Sequence, residues 1–146
     1  MIDVRFPTAL QMMLSLALAQ AEGVDRLSSA QLAEGVGSNP TFVRRLLAPL
    51  TQAGLVRSAM GRDGGVSLGA EAAAITLGEI YKAIMGDKKL WTGRSDIPHR
   101  CLVSCNVEQF FGNLADEVDE SVLRLLGTRT LADALLELRT LDAERV

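Results

Sequence analysis

Residues 38–55 read SNPTFVRRLLAPLTQAGL, and this stretch decides how the rest of the chain is understood. Asn39 is a good helix N-cap. Pro40 suits the first helical position, where its missing N–H would have had no intrahelical acceptor. Phe42, Val43, Leu46, Leu47 and Leu50 recur at helical spacing and predict a core-facing stripe, with Gly54 as a left-handed stop. Pro49, late in the helix, removes a backbone donor and predicts a local kink. Thr41, Arg44 and Arg45 fall outside the stripe. No acidic residue occurs from Asn39 through Arg62, whereas Arg44, Arg45, Arg57 and Arg62 all do. In an acidic chain this marks a surface that expects a negative partner. An ordinary amphipathic helix with solvated arginines has the same pattern, so the flanking elements must decide.

Upstream, Phe6 to Ala21 carries a broad apolar face of Ala9, Leu10, Met13, Leu14, Ala17 and Leu18 and predicts a packing helix. Ser28 and Gln31 have the spacing of a capping box and open a short second helix with Leu32 and Val36 turned inward. Gly35 and Gly37 then allow a tight turn into Asn39. Two short helices so joined predict a helix-turn-helix. Downstream, Leu55–Ser58 and Val66–Leu68 predict two short strands around the glycine-rich MGRDGG, a hairpin that could serve as a wing. Residues 70–74 read as linker. Thr76 and Glu79 repeat the capping-box pattern and start a helix through Ile84 that buries Leu77, Ile80 and Ile84.

The second half has a different character. Residues 87–98 are polar, with glycine, proline and Trp91, and predict a mobile connection. From Val107 to Leu126 a long helical pattern resumes. Phe110, Phe111, Leu114, Val118, Val122, Leu125 and Leu126 form an apolar surface wider than one domain needs, beside a face of Asp116, Glu117, Asp119 and Glu120. This predicts a helix that pairs with a second copy. Thr130 and Asp133 start a last helix packed through Leu131, Leu135 and Leu138.

Composition bounds the partners. The 146 residues carry a net charge of -3 and 48% hydrophobic residues, enough for one cored domain with a helical extension. Ten basic and eight acidic residues precede Asp96, against five and ten from Asp96 onward, so the acidic excess lies at the C-terminal end. At 4% aromatic content there is little material for the base-stacking platforms of single-strand binders, and a duplex fits better. The apolar run near 12–21 is short and interrupted by Ser15 and Gln20, which predicts a cytoplasmic protein without a membrane span. MGRDGG lacks the lysine and hydroxyl residue of a phosphate-binding loop. The carboxylates of the long helix follow one solvated face rather than forming an acid–base pair, so no enzyme is expected.

NPTFVRRLL, LTQAGLVRS, GRDGGVSL, ITLGEIYKAI and CLVSC, in this order and spacing, resemble the BadM/Rrf-type winged helix-turn-helix transcription regulators, especially their YwnA-like branch. The resemblance spans nearly the whole chain. It implies a mainly α fold with a β-hairpin wing, and a homodimer that binds palindrome-like double-stranded operator DNA, usually as a repressor. It divides the chain into a winged helix-turn-helix domain (1–86), a connecting loop with the cysteine pair (87–106) and a helical dimerisation region (107–146). Ser38, Asn39, Thr41, Arg44 and Arg45 would meet the major groove and its phosphates, and Arg57 and Arg62 the minor groove or backbone. The sequence departs from the family at Met60, where many members carry arginine, and at Val66, where an aromatic is common.

His99, Cys101 and Cys105 are the one constellation with redox or metal chemistry. Some family members hold an iron-sulfur cluster with three cysteines in this region and a fourth ligand from elsewhere. Two cysteines do not complete such a set, so no cofactor is expected. A redox role for Cys101 and Cys105 and simple packing both remain open from sequence. His99 on a polar loop reads as surface. Two further alternatives stand beside the regulator: a protein-interaction module without DNA binding, and a regulator gated by a small ligand near Trp91 and Phe110.

Overall fold

A computed structural model describes residues 2–145. The chain folds into six α-helices and one antiparallel hairpin: α1 (Arg5–Ala21), α2 (Ser29–Val36), α3 (Pro40–Gln52), β1 (Val56–Ala59), β2 (Gly65–Leu68), α4 (Leu77–Met85), α5 (Leu102–Gly127) and α6 (Leu131–Ala143), with a 3-10 turn at Ala72–Ala74. The turn lies in the stretch expected to be linker.

Local chemistry explains most of the starts. Ser28 and Gln31, Thr76 and Glu79, and Thr130 and Asp133 each form a reciprocal capping box. Asn39 Oδ1 accepts the Phe42 N–H at 2.8 Å. Gly37 ends α2 in the left-handed region at φ 65°, where a side chain would be strained, and this sets the turn into α3. α3 continues through Pro49 to Gln52; the proline denies the Arg45 carbonyl its usual donor.

The core joins Met12, Met13 and Leu16 of α1 to Leu32 of α2, Val43, Leu46 and Leu50 of α3, Val56, Val66 and Leu68 of the hairpin, and Ile80 and Ile84 of α4. Leu131 of α6 is fully buried in the same cluster. The last helix therefore returns to α1, and paired backbone bonds secure it: Leu77 N–H to Arg129 O at 2.9 Å and Leu131 N–H to Ile75 O at 2.8 Å. Leu131 of α6 thus joins the core, whereas α5 packs on α4 and leaves much of its remaining surface exposed.

α5 also starts earlier than its apolar periodicity suggests. It begins at Leu102, not near Val107, and runs 26 residues. Cys105 therefore lies within the helix rather than in the preceding loop. α4 and α5 approach closely where glycine permits: a Cβ on Gly78 would sit 3.1 Å from the Gly127 nitrogen. The connection 87–101 is pinned along its way. Lys88 bonds Asp3 at 3.0 Å, Lys89 pairs with Asp116, and Trp91 Nε1 donates to the Phe111 carbonyl at 3.0 Å. No helix among the described residues is long and apolar enough to cross a membrane.

Candidate nucleic-acid interface

The exposed face of α3 is what its buried stripe leaves over. With Val43, Leu46, Leu47 and Leu50 in the core, helical geometry puts Thr41, Arg44, Arg45, Ala48 and Gln52 outward, and all five are exposed. The ion pairs among the described residues involve Arg5, Lys88, Lys89 and Arg94; Arg44, Arg45, Arg57 and Arg62 take part in none. Arg44 makes only a long 3.5 Å contact to Thr41 Oγ1. Four arginines of this segment thus stand outside every ion pair of the described residues.

The hairpin stands beside this helix in strict register, Val56 opposite Leu68 and Ala59 opposite Gly65. Its tip is braced from below. Leu27 and Val66 exchange backbone bonds at 2.9 and 2.7 Å, and Arg26 Nη1 donates to the Asp63 carbonyl at 2.9 Å. Gly64 and Gly65 are required at this junction, since a Cβ on Gly64 would lie 2.3 Å from the Ala59 carbonyl oxygen and one on Gly65 2.9 Å from that of Leu27. Between helix and wing runs an open groove of about 840 Å³, lined in part by Ser28, Arg44, Ala48, Thr51, Met60 and Arg62.

The structure therefore brings Arg44 and Arg62 to one groove, whereas Thr41 and Arg45 are exposed on α3 without lining it. Ser38 is half-buried at the turn, and Asn39 spends its side-chain oxygen on the cap. Arg57 is exposed on β1 opposite Ser67, outside the groove. Sequence patterns did not point to Ser28 as part of this surface, whereas the family resemblance had already put Met60 in the wing. Ser28 was visible as a cap, but its nearness to α3 is a tertiary fact. Met60, placed in the wing by the glycine-rich hairpin, is 99% exposed there.

Cys101 and Cys105 lie at the start of α5, and both are exposed. Cys101 is the N-cap of α5, with Ser104 Oγ accepting the Cys101 N–H at 3.0 Å and the Arg100 N–H at 2.8 Å. The backbone N–H and then the hydroxyl of Ser104, with the Val103 N–H, pull the Cys101 thiol below its ordinary pKa. Beyond this cap, α5 is bare on one side. Among its described residues Ala115 is the buried one, while Leu102 is 82% and Phe110 60% exposed, with Phe111, Leu114 and Leu125 also open.

The family model described as Rrf2, iron-dependent transcriptional regulator, matches residues 2–137. The chain belongs to the Rrf2 family. YwnA of Bacillus subtilis, named as an HTH-type transcriptional regulator, is 28% identical over 139 residues, covering 92% of this chain and 97% of YwnA. The B. subtilis HTH-type transcriptional regulator CymR is 38% identical over 77 residues, about half of either chain. The structure of CymR, described as the global cysteine regulator of B. subtilis, superimposes with a TM-score of 0.63 at 26% identity, covering 94% of this chain and 97% of CymR. T. potens IscR gives 0.67 at 25% identity, covering 94% and 88%. This Rrf2 chain is accordingly a winged helix-turn-helix transcription regulator and not an enzyme, and the protein-interaction alternative is not favoured.

The family description invokes iron, and the donors of this chain can be held against it. Its thiols number two, and among the described residues no three of His, Cys, Asp and Glu come together as a metal site. Iron-sulfur clusters are commonly held by four cysteine thiolates, or by two cysteines and two histidines in Rieske centres, and this chain has two cysteines and one histidine. The donor set of a single chain does not fit that requirement.

Proposed function

We infer that this Rrf2 protein is a homodimeric repressor of the cytoplasm that binds two-fold symmetric operator DNA and is controlled through Cys101 and Cys105. The observation that carries this reading is the face of α3, on which Arg44 and Arg45 stand exposed and outside every ion pair of the described residues, beside a braced wing with Arg62. A helix of this width fits the major groove, where arginine can bond guanine O6 and N7 together while neighbouring groups hold phosphates. The wing then lies over the adjacent backbone. α5 supports the dimer: its open stripe of Phe110, Leu114, Val118 and Leu125 needs a cover, and a second α5 related by two-fold symmetry supplies the same apolar surface.

The test is selection of bound fragments from pooled genomic duplex DNA by the purified, reduced protein, followed by sequencing. An inverted repeat with half-sites about one helical turn apart is expected. Recovery of sequences without symmetry, or no enrichment above competitor DNA, would overturn the reading.

A further inference from the structure

The first turn of α5 borders a second, partly enclosed cavity of about 460 Å³. Ile97 of the connection and Val103, Val107 and Phe111 of α5 give it apolar walls; Cys101 and Arg94 also line it. Arg94 is held by Asp96, at 3.2 Å to Oδ1 and 3.3 Å to Oδ2, and both side chains are 73% exposed. Cys105 follows Cys101 by one helical turn, its N–H bonded to the Cys101 carbonyl at 3.0 Å. Thiol–disulfide exchange needs an accessible thiolate, and resolution of the adduct needs a second thiol nearby; Cys101 lines the cavity and Cys105 lies one turn along α5.

We propose that this cavity receives a small-molecule disulfide with an apolar arm, that Cys101 attacks it, and that Cys105 resolves the adduct as an internal disulfide. The proposal rests on the thiol-controlled regulator reading above and supplies its chemistry. The Cys101 thiolate attacks one sulfur of the bound disulfide; that S–S bond breaks, and the departing half leaves as a thiolate that takes a proton from water. The Cys105 thiolate then attacks the Cys101 sulfur, the mixed S–S bond breaks, and the second half leaves in the same way. Two cysteine thiols are oxidised and one small disulfide is reduced to two thiols. The cap of α5 favours the assignment of roles, because Ser104 and Val103 stabilise the thiolate of Cys101.

Closure has a structural cost that makes it a signal. Cys101 caps α5 from extended backbone and Cys105 lies in its first turn, so four residues of helical rise offset the pair by about 6 Å along the axis. A disulfide wants its Cβ atoms about 3.8 Å apart, so the first turn of α5 must give way. The Cys105–Cys101 backbone bond and the Ser104 capping bonds go with it.

The experiment treats the full-length protein with dithiobis(nitrobenzoate), an aromatic disulfide, and separately with bis(hydroxyethyl) disulfide, which lacks an apolar ring. Intact mass and non-reducing electrophoresis follow the products. The wild type should end as a monomeric chain lighter by two hydrogens, without a retained adduct. Cys105→Ser should keep one adduct on Cys101, and Cys101→Ser should react more slowly than Cys105→Ser. Ile97→Glu should slow the aromatic reagent more than the hydroxyethyl one. Two stable adducts on the wild type, a covalent dimer, or equal rates for the two cysteine variants would overturn the exchange; an equal effect of Ile97→Glu on both reagents would overturn the cavity's role. Operator binding by the reduced protein is scored in parallel. Its failure removes the regulator reading while leaving the mass result to judge the thiols.

Discussion

Replacing Arg44 or Arg45 by alanine separates two meanings of the same charge. Both side chains are exposed and in no ion pair of the described residues, and neither packs into the core, so thermal stability should stay within about 0.5 kcal/mol of the parent. Binding should not. An arginine that neutralises a phosphate contributes a salt slope of about 0.9 per contact, so one substitution in each half of a dimer should flatten log Kd against log salt by roughly 1.8. An arginine that reads guanine should instead cost about 1 to 3 kcal/mol per half-site, with sequence selectivity relaxed at one base pair and the slope little changed. The two outcomes are distinguishable in one set of fluorescence-anisotropy titrations at four salt concentrations on the selected operator and a scrambled duplex. Arg44, which lines the groove toward the wing, should show the base-reading pattern, and Arg45 the phosphate pattern. Unchanged affinity and slope for both variants, with the fold intact, would refute the assignment of α3 as the contact helix.

Other consequences can be measured directly. Leu131→Ala removes a fully buried side chain where α6 meets α1 and should cost about 2 to 5 kcal/mol in denaturant unfolding. Gly69→Ala would place a Cβ 2.0 Å from the Gly54 carbonyl oxygen, so it should destabilise the chain more than Gly37→Ala, whose cost is the left-handed backbone alone at about 1 kcal/mol; comparing their melting midpoints checks the order. The backbone N–H and then the side chain of Thr130 hold the Asp133 carboxyl below its ordinary pKa. Its stabilising effect is therefore present above the unfolded carboxylate pKa and disappears as pH falls through the folded one. Asp133→Asn should melt earlier than wild type at neutral pH and converge with it in acid; a gap that persists in acid would contradict the cap. Leu114→Lys on the open face of α5 should shift sedimentation from dimer to monomer with helicity retained.

What was legible in the chain was local. Ser28, Asn39, Thr76 and Thr130 announce their helices because a cap and its partner lie within three residues, and alternation between polar tips and buried Val56, Val66 and Leu68 announces the hairpin. The start of α5 was not, since its cap is a cysteine and its first turn contains Leu102 and Val103, which no core within the chain covers. The bridge from Leu27 to Val66 is a single residue pair across 39 positions and leaves no periodic trace. The place of α6 against α1 depends on which apolar face wins the core, which periodicity in one helix does not tell. For the interface, arginine content and the missing acids were readable; that Arg44 and Arg62 share a groove, and that Met60 joins them, required the fold.

The bracing of the hairpin sets how such a molecule can be switched. Because Arg26 and Leu27 clamp the wing to the chain just before α2, and α2 is locked to α3 through Gly37 and Asn39, the reading head has little internal play. In the proposed dimer a rigid head would behave like one jaw of a caliper, its grip on a half-site fixed and only the gap to the other jaw adjustable. In a two-headed assembly, changing affinity then means changing that gap, and DNA sets a fine gauge for it, about 34 Å per helical turn. Loosening one turn of the hinge rod at Leu102 would alter the gap without touching a single residue that faces the duplex.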